Sequence, residues 1–319
     1  MSGASGQMDL RGKRVFVAGH RGMAGSAMVR RLAREDCEIL TIERRDLDLT
    51  RQEPTERYIA MTRPDLVVVT AARVGGIVAN DTYPVDFLAD NLAIELNLIR
   101  ASHAAGVKKL LFVGSTCIYP KFARQPMRED ELLKGELEPT NQWYAIAKIA
   151  GIKLCQAYRK QHGADFISAM PTNLYGPGDN YHPEHSHVMA GLLRRIHEAK
   201  IANAPTVTVW GTGTPRREFL HVDEFADASV FLIKTYSGEE PVNIGVGTDL
   251  SIAELARMIA DVVGYRGEIV YDRSRPDGTP RKLVDVSRLT ALGWKAKLDL
   301  RAGLQKTYQN FLTNALRER

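Results

Sequence analysis

The sequence predicts an α/β fold, a doubly wound parallel sheet with helices on both faces, and three observations carry that prediction. Apolar runs of strand length alternate with longer helical stretches through the first half of the chain. A glycine-rich turn follows the first of these runs, and right-handed crossovers between parallel strands then give a Rossmann-type domain. After Pro171 the alternation gives way to loops carrying Pro, Gly and His and to short strands, the pattern of a smaller α/β lobe.

The elements follow in order. Residues 14–18 read as a buried strand, 26–34 as a helix, 39–42 as a strand and 54–61 as a helix. Residues 66–71 form the next strand, 85–105 a long helix, 109–114 a strand, 143–162 a second long helix and 166–170 a strand. Past the loop at 171–183 come a helix at 188–200, short strands at 206–210, 217–222 and 242–244, and a helix at 251–263. The stretch 222–235 returns to the first domain. The division expected is therefore a polar tail at 1–12, a cofactor domain at 13–172 plus about 221–245, and a substrate lobe at 173–220 plus about 246–319.

With 319 residues the chain can hold one large domain or two modest ones sharing an interface. A composition 44% hydrophobic and 25% charged excludes a disordered or fibrous protein. No apolar run approaches the about 18 residues of a membrane span, and residues 1–13 lack the apolar centre of an export signal. Three cysteines, Cys37, Cys117 and Cys155, are too few for a disulfide framework and have no metal-ligand spacing, which fits a reducing cytoplasm. Cys37 reads as lying in a turn without a partner. The net charge of +5 is spread along the chain, apart from pairs such as Arg44-Arg45, Arg194-Arg195 and Arg216-Arg217. With no nucleic-acid-binding signature present, such pairs are better explained as facing the phosphates of a small ligand.

The turn Gly19-His20-Arg21-Gly22-Met23-Ala24-Gly25 sits between the first strand and the first helix. Glycines there permit a tight turn, let a pyrophosphate approach the backbone and let the helix pack closely, with the helix N-terminus facing the phosphates. The spacing is Gly-x-x-Gly-x-x-Gly, not Gly-x-Gly-x-x-Gly. An acidic residue at the end of the second strand favours NAD, whereas arginine favours the 2′-phosphate of NADP. The segment Glu43-Arg44-Arg45-Asp46 carries both signs, and Arg21 adds a further cation, so NADP(H) is expected. Asp48 and Leu49 are expected beside the adenine.

Tyr144 and Lys148 stand four apart on a helix and so share a face. An ammonium near a phenol favours the phenolate, so the pair predicts a Tyr144 pKa lowered toward working pH and a role in the proton transfer that accompanies hydride transfer. Ser115, at the carboxyl end of the preceding strand, can hydrogen-bond the same carbonyl. Cys117, two residues on, reads on its own either as a small buried hydrophobe or as a base. Cys155 lies three turns beyond Tyr144, too far along the helix to join them. His182, His185 and His187 lie within six residues, but no Cys or Glu completes a ligand spacing and no metal is expected.

These residues resemble the extended short-chain dehydrogenase family, in its nucleotide-sugar branch. The matching stretches are 19–25, 71–80, 114–121, 138–141, 144–153, 170–177, 217–223 and 276–285, nearly the whole chain. The resemblance implies a GDP-sugar substrate: epimerisation of GDP-4-keto-6-deoxy-D-mannose at C3 and C5, then NADPH reduction of the C4 ketone. It makes Cys117 the base and His187 the matching acid, with Ser115, Tyr144 and Lys148 as reductive residues. It places NADP(H) against the glycine turn, Arg45, Asp48, Leu49, Ala71 and Ala72. It adds Val113, Gly114, Ser115, Thr116, Tyr144 and Lys148, and beyond them Pro171, Thr172, Asn173, Leu174 and His187. Cys117, Asn173, His187, Arg195, Trp210, Arg217 and Asp277 would hold the GDP-sugar. The resemblance also implies a homodimer through the two long helices, with neither nucleic acid nor membrane as partner.

Three rivals share the fold. A dehydratase places Asp-Glu directly after the catalytic hydroxyl residue, whereas Thr116 and Cys117 stand here. A 4-epimerase keeps its NAD bound and needs no Cys/His pair. A non-catalytic NADP-sensing regulator needs no intact Ser115, Tyr144 and Lys148.

Overall fold

In the computed structural model, which describes residues 8–183, 186–274 and 277–313, the first half runs as strand, helix, strand. The order is β1 (Lys13–Ala18), α1 (Met23–Leu32), β2 (Cys37–Leu40), α2 (Gln52–Thr62), β3 (Leu66–Val69), α3 (Ile77–Thr82), α4 (Pro84–Ala104), β4 (Lys109–Val113), α5 (Gln142–His162) and β5 (Asp165–Pro171). The second half adds β6 (Asn173–Tyr175), α6 (Val188–Ile201), β7 (Thr206–Trp210), β8 (Arg216–Arg217), β9 (Phe219–His221), α7 (Val222–Thr235) and β10 (Val242–Ile244). It ends with β11 (Leu250–Ser251), α8 (Ile252–Val263), β12 (Glu268–Asp272), β13 (Arg281–Lys282), α9 (Ser287–Leu292) and α10 (Leu300–Thr313).

Six strands form one parallel sheet in the order β10-β5-β4-β3-β1-β2. Its inner strands bury both faces, as parallel strands under helices must, while the edge strand β2 is only partly covered. Alternate residues divide between two cores. Val15, Val17, Leu66, Val68, Leu111 and Ile167 pack with Met28 of α1 and Phe225 of α7. Phe16, Val67, Val69, Leu110, Phe112 and Phe166 pack with Ile59 of α2, Leu98 of α4 and Ile152 of α5. A third core joins β7 to α6, α8 and α10 through Val207, Val209, Leu193, Ile259 and Leu304. The strand order reverses between β1 and β3, and a ligand crevice belongs outside the carboxyl ends at such a point.

Several boundaries differ from expectation for local reasons. Gly22 already N-caps α1, so the helix begins at Met23 rather than at residue 26. Cys37 is not in a turn. It opens β2, aligned with Lys13, and its Sγ lies 3.6 Å from the Leu32 carbonyl. The predicted strand 217–222 is two strands, β8 pairing with β11 and β13, and β9 with β6. Between them sits Glu218, fully buried, whose carboxylate accepts the N–H groups of Val246, Gly247 and Val284. Helix α8 begins where a Ser251/Glu254 capping box satisfies its first amides. Among the described residues no helix is long and apolar enough to cross a membrane.

Candidate active site

The turn after β1 is built for close approach. Gly19 has φ +86°, and a Cβ there would lie 2.6 Å from the Ala71 nitrogen, so the turns after β1 and β3 touch at the switch point. A Cβ at Gly25 would lie 2.1 Å from the Gly19 carbonyl oxygen. Helix α1 has no side-chain cap and no acidic residue in its first turn, and the nearest atom to a Cβ at Gly22 is the Gly19 oxygen at 3.4 Å. These features fit a dinucleotide phosphate on the helix N-terminus. Gly25→Ala is expected to open the turn, destabilise the fold by about 1–3 kcal/mol and weaken NADP(H) binding. Urea unfolding and cofactor titration check this; wild-type values in both would contradict it.

At the end of β2, Glu43 accepts from Arg21 at 2.5 Å, and His20 lies 4.0 Å away. A carboxylate placed to meet a ribose hydroxyl is thus engaged by a cation of the glycine turn. Arg45 is exposed, with Asp46 at 3.9 Å. Asp48 accepts the backbone and hydroxyl of Thr50, which holds its carboxyl below the usual range. Ala71 is buried and Ala72 partly so, in the turn that follows β3.

Beyond β4, Val113 and Gly114 lead into a short turn, Thr116–Ile118, capped by the Ser115 hydroxyl, which accepts the Cys117 N–H at 3.3 Å. Ser115 also hydrogen-bonds the Tyr144 phenol from the first turn of α5. Burial pushes the Tyr144 phenol above its usual pKa, reinforced by Cys117 and Glu95, with Ser115 only partly offsetting them. This corrects the expected lowering by Lys148. The Lys148 ammonium sits 5.8 Å from the Tyr144 ring centre, 4.8 Å over the Phe112 ring and 2.9 Å from Glu95. A neighbouring carboxylate offsets the field of the ammonium, so burial decides the sign, and Tyr144 stands as a neutral phenol.

Cys117 meets two cations from the second half of the chain. The Lys282 Nζ lies 3.8 Å from its Sγ. Lys282 of β13 is in register with Arg217 of β8, and Arg217 is close enough for its guanidinium to feel the Cys117 sulfur. A cavity of about 10 Å³, room for about one water, is lined by Thr116, Cys117, Lys121, Glu138 and Lys282 among others. His187 N-caps α6 and lies 4.0 Å from Asp179, whose carboxylate raises its pKa. The structure therefore gathers Ser115, Cys117, Tyr144 and Lys148, and ties His187 to Asp179. His182 is partly buried, and His185 lies outside the described residues.

The remaining expected residues line the second half. Pro171 and Thr172 close β5, and Leu174 and Asn173 lie in β6, with the Asn173 amide donating to the Glu218 carbonyl at 2.8 Å. Arg195 donates to the Thr208 carbonyl and stacks 4.6 Å over the half-exposed Trp210 ring. Asp277 accepts the backbone and hydroxyl of Thr212, anchoring the turn after β7. Sequence reasoning missed Glu95 and Lys282. Glu95 had a signal, a lone carboxylate within the apolar run of the long helix. Lys282 had none until β13 paired with β8.

Residues 15–245 match the model of the NAD dependent epimerase/dehydratase family. The chain is 57% identical over 305 residues to the GDP-L-fucose synthase of Sinorhizobium fredii (strain NBRC 101917 / NGR234), covering 96% of this chain and 97% of that protein. It is 56% identical over 312 residues to the GDP-L-fucose synthase of Escherichia coli (strain K12), covering 95% and 97%. In structure it is similar to a GDP-L-fucose synthetase from Naegleria fowleri bound to NADP, with a TM-score of 0.89, 27% identity and 97% of each chain covered.

Proposed function

The chain belongs to the NAD dependent epimerase/dehydratase family, and from that premise we propose that it converts GDP-4-keto-6-deoxy-D-mannose to GDP-L-fucose. The reaction is epimerisation at C3 and C5 followed by NADPH-dependent reduction at C4. The observation that carries this reading is the meeting of two chemistries at one strand end. A neutral phenol paired with Ser115 stands beside a thiol faced by Lys282 and Arg217.

The C4 ketone makes the protons on C3 and C5 acidic, because the resulting enolate is delocalised onto oxygen. Cys117, with the Lys282 Nζ 3.8 Å from its Sγ, is the base that removes them. His187, its imidazolium favoured by Asp179, returns a proton on the opposite face. Ser115 then hydrogen-bonds the C4 oxygen, and Tyr144 gives it a proton. When bound, NADPH supplies the hydride.

NADP(H) is held by the turn Gly19–Gly25, by the cations Arg21 and Arg45, and by Asp48, Leu49, Ala71 and Ala72. Val113–Thr116, Pro171–Leu174, Lys148 and His187 complete its site. Arg195, Trp210, Arg217 and Asp277 hold the GDP part, with guanidinium forks on the diphosphate and the indole as a stacking face, and Asn173 reaches the sugar. Residues 13–172 with about 221–245 serve as the cofactor domain, and 173–220 with about 246–319 as the substrate lobe. The cytoplasm suits three free cysteines. A homodimer through α4 and α5 is supported by Val85, Leu96 and Ile146, apolar and exposed on those helices.

Purified protein with GDP-4-keto-6-deoxy-D-mannose is expected to oxidise one NADPH per sugar and yield GDP-L-fucose by NMR. No oxidation, or a product with unchanged C3 and C5, would defeat the proposal. Asp179→Asn supplies a finer check. Asp179 raises the His187 pKa, and the acid form is lost only above that pKa. Removing the carboxylate should therefore move the alkaline limb of C3/C5 exchange to lower pH; an unmoved limb would detach Asp179 from the reaction.

A further inference from the structure

Glu95 stands in the middle of α4 with 2% of its surface exposed, among residues that make the apolar layer between α4 and α5. Its Oε1 lies 2.9 Å from the Lys148 ammonium, and both side chains are 2% exposed. Its Oε2 points at α5, where a Cβ on Gly151 would lie 2.8 Å from it and 2.3 Å from the Phe112 ring. Glycine at 151 thus lets the carboxylate and Phe112 close on the helix that carries Tyr144 and Lys148. Breaking a buried pair of this kind leaves an uncompensated charge, so the pair has consequences for both partners.

We propose that Glu95 is a positioning residue for the reduction: it holds the Lys148 ammonium in the layer between α4 and α5, and so sets both the charge state of Lys148 and the field at the Tyr144 phenol. The proposal rests on the reading of Tyr144 and Lys148 as the reductive pair. The titratable groups around it are Lys148, Tyr144 and Cys155 on α5 and Cys117 on the turn after β4. Burial raises the Glu95 carboxyl, and Lys148 draws it only part of the way back. Without the carboxylate, a buried ammonium favours its neutral form, and the Tyr144 phenol loses a negative neighbour. Loss of the Lys148 proton then acts at lower pH than before.

Glu95→Gln keeps the shape and removes the charge. The alkaline limb of kcat/KM for NADPH-dependent reduction is expected to move down by about one pH unit or more, and the ratio of reduction to C3/C5 exchange at neutral pH is expected to fall about tenfold. Glu95→Asp should recover part of both. A second readout needs no cofactor or substrate. In E95Q the folded Lys148 pKa falls below its unfolded value of about 10.4. The unfolded state then binds more protons between the two values, and stability relative to wild type rises with pH across that window. Thermal unfolding of the cofactor-free protein at pH values from neutral to alkaline measures this. An unmoved limb with a pH-independent stability difference would overturn the proposal. So would parallel loss of reduction and exchange, which marks a residue that only supports the fold. Should E95Q not fold, E95D carries the same tests with smaller shifts of the same sign. If wild-type protein neither reduces nor exchanges, the parent reading fails, while the unfolding comparison still decides the pairing.

Discussion

Tyr144→Phe is expected to stop NADPH-dependent reduction of the C4 ketone while hydrogen exchange at C3 and C5 continues. The phenol hydrogen-bonds Ser115, and burial favours its protonated form. Hydride transfer to a ketone develops charge on oxygen, and a positioned acid typically contributes about 10²–10⁴-fold. Phenylalanine keeps the ring in its packing and removes only the hydroxyl, so the fold and the Cys117 cluster stay in place. NADPH oxidation reads the loss, and deuterium uptake from solvent reads the surviving exchange. Full retention of reduction would remove Tyr144 from its assigned role. Equal loss of both reactions would mean that the two chemistries share their proton donor.

The parts of this site that local sequence could disclose are those built from neighbours along the chain. Gly19, Gly22 and Gly25 announce a helix N-terminus by their spacing between the first strand and the first helix. Ser115 announces itself because it follows a buried strand closely, whereas Cys117 on its own reads as a small hydrophobe or a base and takes its role from the family resemblance. The sign of the Tyr144 shift was not legible. The spacing from Tyr144 to Lys148 establishes a shared helix face, but not the carboxylate of Glu95 from another helix, nor how deeply both sit. Desolvation and a third charge are properties of packing, and they reversed the expectation. Lys282 lies 165 residues from Cys117 along the chain and reaches it only because β13 aligns with β8. Glu218 shows the same limit in the fold. Its neighbours read as one strand by their apolar pattern, and the three distant amides that hold its carboxylate divide that strand in two. The sheet survived such errors because each strand's burial is set by its own residues, whereas the electrostatics of the site depends on several elements at once.

Cys117→Ser tests whether the epimerising half of the reaction depends on a thiolate. A hydroxyl of nearly the same size preserves the turn Thr116–Ile118, whose hydrogen bond to Ser115 comes from the backbone of residue 117. What changes is acidity. A thiol is intrinsically far more acidic than an alcohol, so sulfur at this position can act as a base where a serine hydroxyl cannot. Solvent deuterium incorporation at C3 and C5 should therefore fall by about 10²–10⁴-fold. Reduction through Tyr144 should still proceed, now on the unepimerised ketone, so the product should keep the starting configuration at both carbons. NMR of the product separates the outcomes. Normal deuterium incorporation in the serine variant would exclude the thiolate base.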